Sequence, residues 1–562
     1  MPAPLLYDLT HGADGLAVSY ASVQAPLWAA LARRRASARR WLASPAWALG
    51  VTGAVGVGMA VAAPMLQSLG LANPLWPSAA AAALGVAGGY AAGGLLALLP
   101  TAAPAQQVRG AVVLPESERV QSNREAVLAR CAHRAHAHSA ALTLAGVPVP
   151  YADESKHFKL IGTTGAGKST AIAELLAGAL ARGDRAVIAD PDGGFARRYL
   201  DPRRGDVILS PFEPGARRWD LFAEIEAAYD IEQLALALIP DHPGTDRSWR
   251  GYARTLFAAV TGQAHAAGVR DVGELYDLLV VSDREELKLL VGGTPAQPFF
   301  DEHNARMLDS IRSVTSSAVG ALQHVAHQRA EPLSVRQWIR SGRGVLFIPY
   351  RAGQIAALRA SISAWMRLAI FETMNAPEGS APLWFVADEL DALGPIDGLK
   401  DALARLRKFG GRCVLGLQSI AQVSSTYGAG EAQTIVENCG NTLILRCSAS
   451  EQGGTSRFAS RLIGEREMIR VQRTRARRPG ELFHAISETE HRQMEPAVMD
   501  SEIERLADLS GFLKLASQPD WRRVRVRPTA YPAPMRATAP ARTPEAALHA
   551  PSISDEDGLS HG

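Results

Sequence analysis

An α/β fold built on a parallel sheet, interrupted by an all-α insertion and preceded by a two-helix membrane hairpin, is what this chain predicts, on three observations. Short apolar runs of the kind found inside parallel sheets, RAVIAD, DVILS, GVLFIP, LWFVA and CVLGL, recur between segments of helical spacing. From about Ile225 to Ala330 that recurrence stops and helical periodicity takes over. Near the start, two stretches are uncharged and apolar over about 20 residues each, enough to cross a hydrocarbon layer of about 30 Å.

The 562 residues leave room for roughly two or three domains and a large core. A net charge of only +3 means that whole-chain electrostatics do not announce a nucleic-acid partner. Cys131, Cys413, Cys439 and Cys447 show no paired spacing, which argues against a disulfide framework and for reduced cytosolic thiols.

Residues 1–45 read as a cytoplasmic segment. They carry Asp8 and Asp14, lack the basic start and apolar core of a cleavable signal, and include the cluster Arg33, Arg34, Arg35, Arg39 and Arg40. Residues 46–99 form the hairpin, with spans from about Trp47 to Leu66 and about Ser78 to Leu99. Both are rich in Gly and Ala, a composition that favours close helix–helix contact. The connection from Gln67 to Pro77 is uncharged, whereas Arg109 and Arg119 follow the second span. Positive residues stay inside, so both termini are expected in the cytoplasm, with a small extracytoplasmic tip. The linker TAAPAQQ then leads to GAVVL, an early strand. The compact group Cys131, His133, His136 and His138 lacks a second ligand pair and reads as a solvated helix rather than a metal site.

The strongest motif lies within residues 100–224. In HFKLIGTTGAGKST an apolar strand runs into Gly162, Thr163, Thr164, Gly165, Ala166, Gly167, Lys168, Ser169 and Thr170, the GxxxxGK[ST] pattern of a phosphate-binding loop. Its glycines let successive backbone N–H groups turn inward around a phosphate. Lys168 would then reach the β- and γ-phosphates, Ser169 would ligate Mg²⁺, and a helix starting at about Ser169 adds its positive end. The cofactors expected are ATP and Mg²⁺.

The second half of the site is expected in residues 331–527. PLWFVADEL is an apolar run ending in two carboxylates: Asp388 to hold Mg²⁺ and Glu389 to polarise the attacking water as general base. A further strand, Cys413 to Leu417, ends at Gln418, an amide suited to sensing a γ-phosphate, with turn capping as the plainer alternative. About 220 residues separate Lys168 from Asp388, far more than a compact core needs, so residues 225–330 are read as an inserted all-α domain. Residues 528–562, rich in Pro and Ala with an acidic end, read as a disordered tail.

Taken together, this order of parts resembles the TraD-like coupling proteins of conjugative type IV secretion, membrane-anchored ATPases of the same broad group as the FtsK and HerA motors. The likeness covers nearly the whole chain. Its most specific stretch is RLRKFGGRCVLGLQSIAQVSSTYG, followed by EAQTIVENCGNTLILR. The resemblance implies a RecA-like nucleotide-binding domain and a homo-hexameric ring with ATP sites between neighbours. It also implies a place in the bacterial inner membrane and a role in passing a relaxase joined to single-stranded DNA to the secretion channel. Arg407 lies where the family carries an arginine finger that reaches the neighbouring subunit's γ-phosphate, and Gln418 matches the family's sensor position. The alternative for Arg407 is a solvated or DNA-facing loop. Arg470 to Arg478, read as a loop, and Arg522 to Arg527, which alternates like an edge strand, are candidate DNA contacts. The competing function is an ATP-controlled receptor for secreted proteins that pumps no DNA. A chromosome-segregation motor is less suited, because the Pro/Ala-rich tail is expected to leave no room for that class's winged helix.

Overall fold

In the computed structural model of the protein, the apolar runs assemble into one ten-stranded sheet. The structure describes residues 13–68 apart from 35 and 37, and residues 75–98, 106–116, 142–241, 247–450, 453–476 and 485–528. The Cys131 group, most of the linker ahead of residue 106, Arg119 and the tail lie outside the described residues. The chain divides into two units, residues 107–468 with 493–562, and residues 1–106 with 469–492.

In the larger unit the sheet strands are β1 (Val113–Leu114), β2 (Phe158–Ile161), β3 (Arg185–Pro191), β4 (Val207–Ile208), β5 (Val345–Tyr350), β6 (Leu383–Ala387), β7 (Gly411–Leu417), β8 (Asn441–Ile444), β9 (Ser510–Lys514) and β10 (Trp521–Arg525). Their order is β1-β10-β9-β8-β2-β7-β6-β3-β5-β4. Every neighbouring pair from β8 to β4 is parallel. β9 and β10 then join antiparallel.

Burial on both faces is why these strands read as continuous apolar runs. In β3, Ala186 and Ile188 enter one core and Val187 and Ala189 the other, the period-2 alternation of a strand covered on both sides. The DVILS run contributes only Val207–Ile208. Asp206 at its head instead accepts the N–H groups of Asp201 and Val345 at 2.9 Å each and pairs with Arg204, which keeps that residue out of the ladder.

The insertion has a defined neck. Arg218–Trp219 and Pro332–Leu333 pair in parallel, and the described elements between them are all helical. They include Ala228–Leu238, Arg247–Ala266, Val272–Val280, Arg284–Leu290 and Ala305–Val319. Asp271 caps the third of these, accepting from the N–H groups of Gly273 and Glu274, so its start is set locally.

Two basic stretches took strand form. Glu465–Ala476, which contains most of the Arg470 run expected as a loop, lies in a three-stranded sheet with Gln106–Gly110 and Ala485–Pro496. Its alternation of Arg with Val, Gln and Thr suits a pleated strand better than a loop. In β10, Trp521 and Val524 are buried while Arg523 and Arg525 are exposed.

In the smaller unit the helices Ala38–Ser68 and Leu75–Leu98 contain stretches, Ala38–Ala62 and Ala80–Leu98, long and apolar enough to cross a membrane. Residues 13–33, expected within a cytoplasmic segment, form a third helix, Ala13–Arg33, packed against Leu75–Leu98. The small residues supply the contact. A Cβ added at Gly93 would lie 2.6 Å from the Leu27 carbonyl oxygen, and one at Gly85 would lie 2.8 Å from Ser22 Oγ.

Candidate nucleotide site

The residues expected to bind nucleotide gather at the C-terminal ends of the parallel strands, where open α/β sheets place their ligands. The phosphate loop joins β2 to the helix Lys168–Ala181. Gly165 and Gly167 have φ of +78° and +113°, backbone that side-chain-bearing residues rarely adopt. Gly167 is doubly required, because a Cβ there would meet Leu509 Cδ2 at 2.7 Å.

Lys168 is buried, at 6% exposure, and donates to the carbonyls of Gly162 at 2.6 Å and Thr163 at 3.3 Å, which hold its ammonium over the loop. Burial lowers its pKa, while the carboxylates of Asp388 and Glu389 oppose that shift. Ser169 Oγ donates to Asp388 Oδ2 at 2.5 Å, closing the 219-residue gap between the two motifs. Thr170 follows on the same helix, half-buried.

Asp388 is 4% exposed, and its second oxygen, Oδ1, has no hydrogen-bond partner among the described residues. A buried, orphaned carboxylate oxygen beside a serine hydroxyl fits a small hard cation, and Mg²⁺ characteristically takes few protein oxygens and completes its shell with phosphate and water. Burial raises the Asp388 pKa, and Ser169 and Lys168 counter it. Glu389 is raised by burial first and by Asp388 and Asp391 next. A carboxyl shifted upward is a better proton acceptor. Glu389 Oε1 accepts from Gln418 Nε2, and Gln418 Oε1 accepts from Thr164 Oγ1 at 3.2 Å, so loop, acid and amide form one connected chain.

Three neighbours were not singled out from sequence. Asp190, at the end of β3, is fully buried, accepts the N–H groups of Phe195 and Ala196 at 2.9 and 2.7 Å, and is pushed up to about 6 by burial. Tyr350, ending β5, has a buried hydroxyl without a hydrogen-bond partner among the described residues, and burial together with the nearby carboxylates disfavours its ionisation. Gly416 in β7 lies so close to the Asp388 backbone that a Cβ would sit 2.7 Å from that carbonyl carbon and nearer still to the oxygen. The signals were present as an acid or tyrosine at the end of a buried run and a glycine inside one.

Arg407 is not among these side chains. It lies exposed in the turn Arg407–Phe409 ahead of β7, whereas Gln418 follows the opposite end of that strand. The ends of its segment are fixed by His157, 1% exposed, which donates from Nε2 to the Leu403 carbonyl at 2.8 Å and accepts the Cys413 N–H on Nδ1 at 3.0 Å. Those two bonds define a neutral ring, and burial lowers its pKa to about 4.

Such a loop, acid pair and parallel sheet define a nucleotide-binding protein of the phosphate-loop class. Residues 141–527 match the family described as the type IV secretion-system coupling protein DNA-binding domain, and the chain belongs to that family. Coupling protein TraD of Escherichia coli (strain K12) is 30% identical over 382 residues, 66% of this chain and 53% of TraD. The chain therefore spans about half the length of that relative. Among solved structures, the unbound monoclinic form of the bacterial conjugative coupling protein TrwBdeltaN70 is similar, with a TM-score of 0.65 and 29% identity over 77% of this chain and 96% of that one. The same plasmid coupling protein TrwB in complex with ADP and Mg²⁺ matches with a TM-score of 0.65, 29% identity and 77% and 97% coverage. Its complex with the non-hydrolysable ATP analogue ADPNP matches with a TM-score of 0.66 at the same identity and coverage.

Proposed function

We propose that the protein is an ATPase anchored in the bacterial inner membrane that delivers a relaxase joined to single-stranded DNA to a type IV secretion channel, hydrolysis driving or gating the transfer of the strand. Family membership supports the coupling role. The meeting of Ser169 with Asp388 at 2.5 Å, with Lys168 and Glu389 beside them, carries the catalytic part. Loop amides and Lys168 grip the phosphates. Ser169 and Asp388 would hold Mg²⁺, which would supply charge to neutralise the bound phosphates. Glu389 takes the proton of the attacking water, and Gln418, hydrogen-bonded to it, reports the γ-phosphate.

Arg407 acts on the nucleotide of an adjoining copy in a homo-hexameric ring, where a planar guanidinium suits charge developing on the transferred phosphoryl group. The catalytic part faces the cytoplasm, where ATP is available, and the tip between the two apolar helices faces outward. The test is ATP turnover by the full chain in lipid nanodiscs, with and without single-stranded DNA. Turnover should rise with DNA and vanish in Lys168→Ala. Wild-type turnover in that variant refutes the site. Turnover indifferent to DNA but dependent on a secreted protein would replace the DNA motor with a protein receptor.

A further inference from the structure

The helix Ala13–Arg33 has the wrong faces for a helix in water. Its exposed side chains include Ala17, Val18, Ala21, Ala25, Trp28 and Ala29, all apolar, with Val18 at 70% and Trp28 at 47% exposure. Gln24, its one buried polar side chain among the described residues, is satisfied within the unit, and Ser19, Tyr20 and Ser22 lie half-buried. Gln24, 6% exposed, accepts from Tyr20 Oη at 2.9 Å and donates to Ser44 Oγ at 3.1 Å. Trp28 Nε1 donates to the same Ser44 oxygen at 3.0 Å, and Ser22 Oγ to the Ser19 carbonyl at 2.7 Å. An uncharged stretch with an apolar outer face and a satisfied inner amide is what a hydrocarbon solvent selects, since no water is there to satisfy a stray donor.

Length and register agree. The run from Gly15 to Ala32 carries no charge and, at about 1.5 Å per residue, extends about 27 Å, close to the roughly 30 Å of a bilayer core. Along the contact, Val23 lies against Gly89 and Leu27 against Gly93, so the helix runs parallel to Leu75–Leu98. Carried along both helices, that register sets Asp14 level with Ala80 and Ala32 level with Leu98, the two bounds of the apolar stretch Ala80–Leu98.

We propose that Ala13–Arg33 is a third membrane-spanning helix whose outer face is covered by lipid acyl chains, with its Asp14 end extracytoplasmic and its Arg33 end cytoplasmic. The inference rests on the reading that the hairpin itself crosses the membrane. Charge supports the direction. Between Met1 and Ala32 the sequence has no Lys or Arg, whereas Arg33, Arg34, Arg35, Arg39 and Arg40 cluster between this helix and the next. This placement differs from the cytoplasmic amino-terminal segment expected from sequence, and it keeps the catalytic part inside.

The test is labelling of intact cells with a membrane-impermeant maleimide, using the full chain with one added cysteine at a time. Asp14→Cys and Ser68→Cys should label from outside, and Ala36→Cys only after permeabilisation. Outside labelling of Ser68→Cys with none of Asp14→Cys in intact cells overturns the third span and leaves the hairpin standing. Failure of Ser68→Cys to label from outside removes the hairpin reading as well. A second variant removes any doubt about a merely reachable end. Ala25→Lys, at mid-helix on the outer face, should abolish outside labelling of Asp14→Cys, because a lysine there opposes insertion. Unchanged labelling would place that face in water and refute the proposal.

Discussion

Gly416→Ala is a test of how tightly the acid pair is placed. The added Cβ would lie 2.7 Å from the Asp388 carbonyl carbon, where ordinary contacts begin at about 3.4 Å. Neither partner is a flexible side-chain tip: one is backbone of β7 and the other the backbone directly after the adjacent parallel strand β6, and the Leu390 N–H also bonds the Gly416 carbonyl at 3.1 Å. The strands must therefore part by roughly 1 Å at the residue that bonds Ser169. Overpacking of this kind costs about 1–3 kcal/mol of stability, and an ångström of misplacement at a reacting centre costs about 10²-fold in rate. The assay is ATP turnover and nucleotide affinity with and without Mg²⁺, beside thermal unfolding. Turnover and the Mg²⁺-dependent gain in affinity should fall together, while Mg²⁺-free binding through the loop and Lys168 persists. Gly430→Ala is the control, since a Cβ there meets nothing within 4 Å in an exposed helix. It should be neutral or stabilising by up to about 1 kcal/mol. A Gly416→Ala protein with wild-type turnover and Mg²⁺ dependence would refute the reasoning.

Glu389→Gln should keep nucleotide binding and lose about 10²–10⁴-fold in hydrolysis, measured by equilibrium binding beside turnover, and unchanged hydrolysis would assign the base elsewhere. Arg407→Ala should lose about 10³-fold yet recover part of its activity when mixed with Glu389→Gln, because each assembly would then contain intact composite sites, and absence of recovery counts against action between copies. His157→Asn probes the neutral ring, and asparagine suits the left-handed φ of 57° at that position. The His157 pKa is about 4 folded against 6.5 unfolded, so between those values the unfolded chain binds a proton that the folded one refuses and stability falls as pH falls. The loss approaches roughly 3 kcal/mol by pH 4. Asp190, raised to about 6, acts in the opposite direction over much of that range, so the readout is the difference in unfolding temperature between wild type and variant. That difference should shrink steadily below pH 6.5, and a pH-independent difference would mean the ring is not held neutral.

Much of the candidate nucleotide site was legible because its signals are local. A strand, a glycine loop and a lysine-serine pair occupy one short stretch, and an apolar strand ending in two acids needs no knowledge of its neighbours. Their convergence is a consequence of parallel topology, which brings every strand's C-terminal end to one side. What escaped was non-local. Gly416 matters only because Asp388 lies across the ladder from it, and Asp206 shortened its strand by bonding backbone from two other segments. The helix Ala13–Arg33 was missed for a different reason: Ser19, Ser22 and Gln24 dilute its hydropathy, although Gln24 is satisfied by Tyr20 and Ser44 and the Ser22 hydroxyl by the Ser19 carbonyl of its own helix. The Gly and Ala richness of the second apolar helix was visible, but the partner it served was not.

The same topology decides what Arg407 can do. Lys168, Asp388, Glu389 and Gln418 follow the C-terminal ends of β2, β6 and β7, while Arg407 precedes the N-terminal end of β7. That strand has 7 residues, so at about 3.3 Å each the two ends stand about 20 Å apart, beyond the reach of any side chain. If Arg407 meets a γ-phosphate at all, that phosphate belongs to another copy. Turnover per chain should then rise with protein concentration until assembly is complete. His157 gives this arrangement a physical link. It directly precedes β2, the strand that enters the phosphate loop, and its ring binds the Leu403 carbonyl and Cys413 N–H at either end of the segment that carries Arg407. A displacement of β2 on nucleotide exchange would therefore act on the arginine turn through two hydrogen bonds rather than through the length of the sheet. His157→Asn, which keeps the backbone conformation but cannot span both partners, should lower turnover without lowering nucleotide affinity, and combining it with Arg407→Ala should cost less than the product of the two separate losses. Losses that simply multiply would mean that His157 supports the fold and has no part in placing the arginine.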